Sequence, residues 1–210
     1  MKLWTAAVAP NPRRVAIFLA EKGLEIPTIE IDLSKGENLA PDFLAKNPLG
    51  RVPVLELDDG AYLAESIAIC RYLEDMHPEP PLFGVGARER ATIEMWNRRM
   101  EFQILLPMAN CFRHSHPYWQ GRIEQIEAYG EHCRRTAEER MTWLDGELAD
   151  REHIAGKDFT IADITAICGF GIGRVSKIRV PEDLANLTRW HATVSERPSV
   201  AASAPSAKKG

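Results

Sequence analysis

Cysteine is scarce in this chain of 210 residues, and its four occurrences follow no functional spacing. Cys70, Cys111, Cys133 and Cys168 form neither a CxxC pair nor a zinc-type grouping with histidine. This argues against a zinc ribbon, a CxxC redox centre and a disulfide framework. We therefore expect four reduced, mostly buried thiols, no metal site and, because disulfides are rare there, a cytoplasmic location.

The chain also lacks a long apolar run and an excess of basic residues. No segment approaches the ~18 apolar residues of a membrane span, and MKLWTAAVAP lacks the apolar core of a signal peptide. The formal net charge of −4 argues against broad nucleic-acid binding, which needs a basic surface. Neither a membrane nor a nucleic acid is therefore expected as a partner. A hydrophobic content of 45% and a charged content of 27% fit an ordinary globular protein.

The first 77 residues alternate short apolar runs with helical patterns in the order β-α-β-α-β-β-α. KLWTAA and TIEIDL predict strands on either side of a helix, with Asn11 as its N-cap, Pro12 as its first residue and Gly23 as its C-terminal cap. VLEL and AYLA predict a hairpin across a DDG turn, and SIAICRYLEDM predicts a closing helix. Because a β-α-β opening implies parallel strands, we expect a four-stranded mixed sheet in an α/β domain over residues 1–77.

The second half of the chain has a different pattern. HPEPPLFGVGA is rich in Pro and Gly and predicts a linker over residues 78–86. Long helical patterns then fill residues 87–198, which predicts an all-helical domain. The small, polar segment SVAASAPSAKKG predicts a flexible tail over residues 199–210.

Three local patterns refine the helical half. Pro107 predicts a bend in the long helix through RERATIEMWNRRMEFQILLPMANCFRH. FTIADI predicts a helix start with Thr160 as N-cap and Asp163 three residues later. GFGIG follows a helix rather than a strand, so we do not expect a nucleotide loop; its glycines either end the helix or permit close packing.

Candidate ligand-binding residues cluster where ligands of open α/β sheets collect, at strand ends beside helix N-termini. A cis peptide at Pro53 would leave the N–H and C=O of Val52 facing outward to pair with an extended ligand; the alternative is a plain trans edge proline. At the start of the last helix of this half, Ser66 can hold a carboxylate and Glu65 an ammonium. An amino-acid end satisfies both, whereas the alternative is a simple capping pair.

The stretch LSKGENLAPDFLAKNPLGRVPVLELDDGAYLAESIAICRYLE resembles the N-terminal domain of glutathione transferases. PNPRRVAIFLAEKGLEIP before it and the helical half with FTIADI fit the same family, so the resemblance covers nearly the whole chain. It implies a thioredoxin-like α/β domain followed by an all-α domain, usually as a homodimer. It also implies glutathione as co-substrate.

The resemblance assigns a part of glutathione to each candidate. Pro53 would be cis, and the backbone of Val52 would pair with the cysteinyl unit. Glu65 and Ser66 would hold the γ-glutamyl end. The glycyl carboxylate would lie near polar side chains of the neighbouring loops, namely Lys35 or Asn38, and Arg51.

The chain departs from the family where the thiolate is stabilised. Many members place a Tyr, Ser or Cys near the first strand or helix, but TAAVAPNPRR has none of these. Asn11 matches an asparagine of the bacterial nu-type members and is one candidate, with a plain N-cap as the alternative. FRHSHPYW supplies another: His114 or His116 could hold a water that takes the thiol proton, unless they are ordinary surface groups.

The predicted function is transfer of glutathione to an apolar electrophile. Phe112, Tyr118 and Trp119 are candidates for the electrophile pocket, since small-molecule sites are mostly apolar, although each could instead be a core residue. One alternative is a peroxidase or disulfide reductase that uses the same thiolate. Another is a glutathione-binding scaffold with little turnover.

Overall fold

A computed structural model gives the structure of the protein and describes residues 1–203. The chain separates into two compact units. The first contains Met1–Pro81 together with the segment that begins at Pro198, and the second is Leu82–Arg197. The change from one unit to the next at residue 81 falls inside the segment predicted as a linker.

The first unit is built on a four-stranded mixed sheet. Its strands are β1 (Lys2–Thr5), β2 (Thr28–Glu30), β3 (Val54–Glu56) and β4 (Tyr62–Ala64). They are ordered β2-β1-β3-β4, with β1 parallel to β2 and the other two pairs antiparallel. The predicted mixed sheet and its closing hairpin are therefore confirmed, as is the α/β class of this unit.

Helices α1 (Pro10–Lys22), α2 (Pro41–Leu44) and α3 (Ser66–Met76) accompany the sheet. The predicted C-terminal cap of α1 is confirmed, because Gly23 has a φ of 63° and its N–H bonds the carbonyls of Leu19 and Ala20. A left-handed residue here lets the chain leave the helix while satisfying its last carbonyls.

The predicted start of α1 is wrong. The helix begins at Pro10, the N-cap is Ala9, and the carbonyl of Ala9 accepts the first helical hydrogen bond, from the N–H of Arg13 at 3.1 Å. Asn11 therefore lies within the first turn and is not the cap. Proline at the first helical position has a preset φ and lacks an N–H that would be unpaired there anyway, and this favours the earlier start over an asparagine cap.

The second unit is helical, as predicted. Its helices are α4 (Gly86–Met100), α5 (Leu106–Ser115), α6 (Glu127–Glu147), α7 (Ile161–Val175) and α8 (Ala185–Ser195). Over residues 1–203, none of the helices has the length and apolar character needed to cross a membrane.

The junction of α4 and α5 is a π-helical turn over Glu101–Leu105. Pro107 follows it and has no N–H to offer the carbonyl four residues earlier, so the ladder must rearrange. The N–H of Leu106 accordingly bonds the carbonyl of Glu101, five residues back. The structure thus has a shift in hydrogen-bond register next to Pro107, where a bend was predicted.

Helix α7 begins at the predicted capping box. The Thr160 hydroxyl accepts from the N–H of Ala162, while the Asp163 carboxylate accepts from the N–H of Thr160 at 3.0 Å. The other carboxylate oxygen of Asp163 accepts from the indole of Trp190 at 2.8 Å and from the N–H of Ile154 at 3.0 Å. One fully buried carboxylate therefore joins three segments of the helical unit.

The glycines of GFGIG lie inside α7, so they do not end the helix. A Cβ at Gly169 would stand 3.0 Å from Cα of Leu105, and one at Gly173 would stand 2.7 Å from Sδ of Met108. Close packing, the second expectation, is confirmed for Gly169, where a larger residue would meet the backbone of the π-helical turn. At Gly173 a larger residue would have to displace the flexible end of the Met108 side chain.

The flexible tail predicted from residue 199 is wrong over its first residues, while residues 204–210 lie outside the described part of the chain. Pro198–Ala202 form a short helix, α9, against α1. Val200 is buried, its carbonyl accepts from Arg13, and the hydroxyl of Ser199 donates to Glu21. The small residues suggested fraying, but burial of one valine and these polar contacts hold the segment in place.

Candidate active site

The first unit brings four segments together at one end of its sheet. Trp4 pairs with Val54, the first residue of β3, and Val54 pairs with Ala64, the last residue of β4. The end of β1 also pairs with the end of β2. The segments at this end of the sheet include the start of α1, the loop after β2, the residues before β3 and the start of α3. These segments carry most of the predicted glutathione contacts.

The backbone N–H and C=O groups of Val52 are unpaired at this end of the sheet. The Val52–Pro53 bond is cis, as the resemblance implied, and Pro53 is buried. Among the hydrogen bonds of residues 1–203, none uses the backbone N–H or C=O of Val52. Val52 and Ser66 each lie two residues beyond the Val54–Ala64 pair. An extended peptide can therefore find a backbone donor and acceptor here, as an added strand does.

Glu65 is the N-cap of α3 and has an unusual backbone. Its φ is 67° and its ψ is 114°, a region that a residue with a Cβ seldom adopts. The carboxylate is exposed and makes no capping hydrogen bond. Such conformations persist where the surrounding structure imposes them and concentrate at ligand-binding sites.

Ser66, the first residue of α3, is buried beside a buried arginine. The Nη1 of Arg14 donates to the Oγ of Ser66 at 2.7 Å. Arg14 was not among the site residues predicted from the sequence, although one feature of the sequence pointed to it. Arg14 stands on the same face of α1 as Ile17 and Phe18, both fully buried, and a charged residue within an apolar stripe is unusual.

Asn11 lies half-buried in the first turn of α1. That turn contains no acidic residue, and the methyl side chain of the N-cap Ala9 cannot accept a hydrogen bond from the N–H of Asn11. Pro10 and Pro12 have no N–H, and the N–H of Arg13 bonds the carbonyl of Ala9. The N-terminal end of α1 therefore keeps its partial positive charge, which favours an anion such as a thiolate.

The three residues predicted near the glycyl carboxylate differ in their surroundings. Lys35 is exposed and pairs with Asp32 at 3.3 Å. Asn38 donates its amide to the carbonyl of Gly50 at 2.8 Å, so it braces the loop that leads to Arg51. Arg51 is exposed.

The acid before this loop is held ionised. The hydroxyl of Ser34 donates to Asp32, and with the backbone N–H groups and ammonium nearby it lowers the pKa of Asp32 to about 2. The carboxylate that orders the turn around Lys35 is thus charged at all ordinary pH values.

His114 and His116 each use Nδ1 as an acceptor. Nδ1 of His114 accepts from the N–H of Ile126 at 3.1 Å, and Nδ1 of His116 accepts from the N–H of Tyr118 at 3.2 Å. In a neutral imidazole the proton then sits on Nε2. Each ring can therefore donate one hydrogen bond from Nε2 to a water or an anion.

The three aromatic residues predicted for the electrophile pocket pack on one another in the helical unit. Phe112 stacks on Tyr118 with ring centroids 6.2 Å apart and meets the edge of Trp119 at 5.9 Å. The guanidinium of Arg122 lies 4.5 Å from the Tyr118 ring. Tyr118 is exposed and the other two rings are half-buried, so the cluster offers an apolar surface to a ligand.

All four cysteines are free and buried, as predicted. Burial raises the pKa of Cys133, and contact with that thiol raises the pKa of Tyr129. The Cys133 thiol therefore lacks the thiolate character of a redox cysteine. Residues 1–203 contain no group of three or more His, Cys, Asp or Glu placed to hold a metal ion.

Comparison with known proteins links both units to one family. Residues 8–76 match the family model for the glutathione S-transferase N-terminal domain, and residues 100–198 match the one for the glutathione S-transferase C-terminal domain. Glutathione S-transferase 2 of Saccharomyces cerevisiae is 38% identical over 204 residues, which span 95% of this chain and 88% of that protein.

Solved structures give the same picture. The crystal structure of Gtt2 from Saccharomyces cerevisiae superposes with a TM-score of 0.92 at 37% identity, over 97% of this chain and all of that one. A glutathione S-transferase domain-containing protein from Marinobacter aquaeolei gives 0.90 at 38% identity, over 95% of this chain and all of the other. Two family models matched in order, together with relatives that cover almost the whole length, show that this chain belongs to the glutathione S-transferase family.

Proposed function

We propose that this glutathione transferase binds glutathione as an extended strand along Val52 and transfers its thiolate to an apolar electrophile. The observation that carries the proposal is the unpaired peptide of Val52, next to a helix start that bears Glu65 and Ser66. A tripeptide with an amino-acid head matches both features. Its cysteinyl unit pairs with the backbone of Val52 while its γ-glutamyl end lies at α3.

Charged groups of opposite sign at the two ends of the site orient glutathione. The exposed carboxylate of Glu65 attracts the γ-glutamyl ammonium, and Ser66 with the first N–H groups of α3 holds the carboxylate. At the other end, Lys35 and Arg51 supply positive charge for the glycyl carboxylate. Asn38 supports that end by bracing Gly50.

Ionisation of the thiol needs a modest energy. Free thiols have a pKa of about 8.5, and lowering it to about 6.5 requires about 2.7 kcal/mol of preference for the anion. The N-terminal end of α1 contributes about 0.3–1 kcal/mol, and a hydrogen bond to a charged group about 1.5–3 kcal/mol. The amide of Asn11 and a water held by Nε2–H of His114 or His116 are the proposed donors.

The chemical step is a substitution or an addition at the electrophilic carbon, with the glutathione sulfur as the nucleophile. The thiol proton passes to the water and on to solvent, which leaves the electron pair on sulfur. The sulfur then forms a bond to the electrophilic carbon, and in an aromatic halide the halide departs with the bonding pair. Phe112, Tyr118 and Trp119 provide apolar contacts for such a substrate.

Binding to immobilised glutathione, followed by assays with an aromatic halide and with a hydroperoxide, tests this function. We expect retention on the resin, elution by free glutathione and conjugation of the halide. Turnover of the hydroperoxide alone favours the peroxidase alternative. Binding without either reaction favours the scaffold, and failure to bind contradicts the assignment of the site.

Two further properties belong to the same proposal. A homodimer is supported by large apolar side chains exposed on α4 and the π-helical turn, Met95 and Phe102. A cytoplasmic location is supported by the four free thiols. Light scattering at micromolar concentration checks the first, and a monomer there would contradict it.

A further inference from the structure

Arg14 is a charged side chain in the core of the first unit. It is 1% exposed, and its one hydrogen bond within residues 1–203 goes from Nη1 to the Oγ of Ser66. Its Nε and Nη2 are buried and have no partner there. A buried guanidinium is costly unless its donors are satisfied, so two orphaned donors require an explanation.

The other buried cation of α1 shows how this fold satisfies such a group. The Nζ of Lys22 lies 2.6 Å from the carboxylate of Glu74 and donates to the carbonyls of His77 and Pro80. Arg14 has no comparable set of partners within residues 1–203. Its missing counter-charge therefore points to a bound anion.

The direction of the Arg14–Ser66 hydrogen bond indicates where that anion lies. Because the guanidinium donates to Oγ, the hydroxyl hydrogen of Ser66 remains available to a second acceptor. The hydroxyl is polarised by the positive charge behind it, which strengthens its donation. Ser66 opens the 11-residue helix α3, whose first N–H groups attract negative charge.

We infer that Arg14 is a positioning residue for the carboxylate of the γ-glutamyl head: it orients the Ser66 hydroxyl toward that carboxylate and supplies its counter-charge. This rests on the proposed binding of glutathione at α3. Selection for the carboxylate then comes from a side chain of α1, behind Ser66. The ammonium, by contrast, is recognised by Glu65.

Affinities for three ligands separate this role from a structural one. The ligands are glutathione, its analogue with a 4-aminobutyryl head, which lacks the carboxylate, and its analogue with a glutaryl head, which lacks the ammonium. Dissociation constants are measured by calorimetry for the native chain, Arg14→Gln and Arg14→Lys. Arg13→Gln is the matched control, because Arg13 adjoins Arg14 but contacts Val200 and Ser203 instead of Ser66.

The native chain should lose roughly 10- to 100-fold in affinity when the carboxylate is removed. In Arg14→Gln that loss should shrink to about threefold or less, while the loss on removing the ammonium stays as in the native chain. Arg14→Lys should recover part of the carboxylate preference, and Arg13→Gln should behave like the native chain. In Arg14→Gln, the KM for glutathione should change far more than kcat.

A different pattern overturns the inference. If Arg14→Gln weakens all three ligands by the same factor, Arg14 only supports the fold. If Arg14→Gln does not fold, Arg14→Lys carries the test, and an unchanged carboxylate preference in it also overturns the role. If the native chain does not bind glutathione, the proposed function itself fails, and that result is distinct from the other two.

Discussion

Replacing Glu65 by glycine should stabilise the chain while weakening its hold on glutathione. The native φ of 67° and ψ of 114° are unfavourable for any residue with a Cβ, at a typical cost of about 1–3 kcal/mol. Glycine has no Cβ and removes this cost. The Glu65 side chain makes no capping hydrogen bond, so none is lost.

The magnitude follows from a comparison with Glu65→Ala, which also lacks the carboxylate but keeps a Cβ. Glycine gains the relief of about 1–3 kcal/mol and loses about 0.4–1 kcal/mol to its more flexible unfolded chain. The glycine variant should therefore be more stable than the alanine variant by about 1 kcal/mol. For a chain of this size that corresponds to about 2–4 °C in the unfolding midpoint.

Both variants should lose glutathione affinity to the same extent. Each lacks the carboxylate that attracts the γ-glutamyl ammonium, and a charged hydrogen bond contributes about 1.5–3 kcal/mol, or roughly 10- to 100-fold. Thermal unfolding without ligand and calorimetry with glutathione measure the two effects separately.

The sign of the stability difference is decisive. At a position with ordinary backbone angles, glycine is less stable than alanine by about 0.4–1 kcal/mol. Finding that order at residue 65 would refute the strained conformation, and unchanged affinity in both variants would refute the role of the carboxylate.

Four other changes test separate parts of the structure. Ser66→Ala should weaken glutathione binding about tenfold by calorimetry and should also lower the unfolding midpoint, because it removes the hydrogen-bond acceptor of the buried Arg14; native affinity would contradict its role. Replacing His114 and His116 together by alanine should raise the pKa of the bound thiol, followed by thiolate absorbance; an unchanged titration clears both residues. Asp163→Ala should destabilise the chain by at least about 3 kcal/mol in urea unfolding, since it leaves four buried donors without their acceptor, and a loss under about 1 kcal/mol would contradict this. Because the folded pKa of Asp32 is lowered from 3.8 to about 2, its stabilising effect is complete above pH 3.8 and is lost as pH falls through about 2. NMR of the carboxyl carbon checks this, and a midpoint near 3.8 would disagree.

Much of the fold could be predicted because local patterns and packing agree. Alternating strands, a turn with glycine and a complete capping box at Thr160 and Asp163 each specify one structure, and the structure contains all of them. The start of α1 was misplaced because Asn11 and Pro10 both favour helix starts, and only the competition between them decides. The segment at Val200 looked too polar to pack, since burial of a single valine cannot be inferred from composition.

The site was less accessible to sequence reasoning for a geometric reason. RRVAIF contains two adjacent arginines, and only the phase of the helix against the sheet decides that Arg14 points inward while Arg13 is half-buried near Val200. The acceptor role of His114 depends on the N–H of Ile126, twelve residues away, which no local pattern indicates. Glu65 and Ser66, by contrast, come directly after strand β4 and form the cap and the first residue of α3, so their position could be predicted.

The division of the chain has a consequence for biosynthesis. Helix α9 covers part of α1 and is hydrogen-bonded to it through Arg13 and Glu21. The sheet-containing unit is therefore completed only after the ribosome has made the whole helical unit. A nascent chain that ends near Pro81 would expose the surface of α1 that Val200 covers. An expressed fragment of residues 1–81 should consequently be prone to aggregation, and linking residues 198–203 back onto it is the way to recover a compact unit.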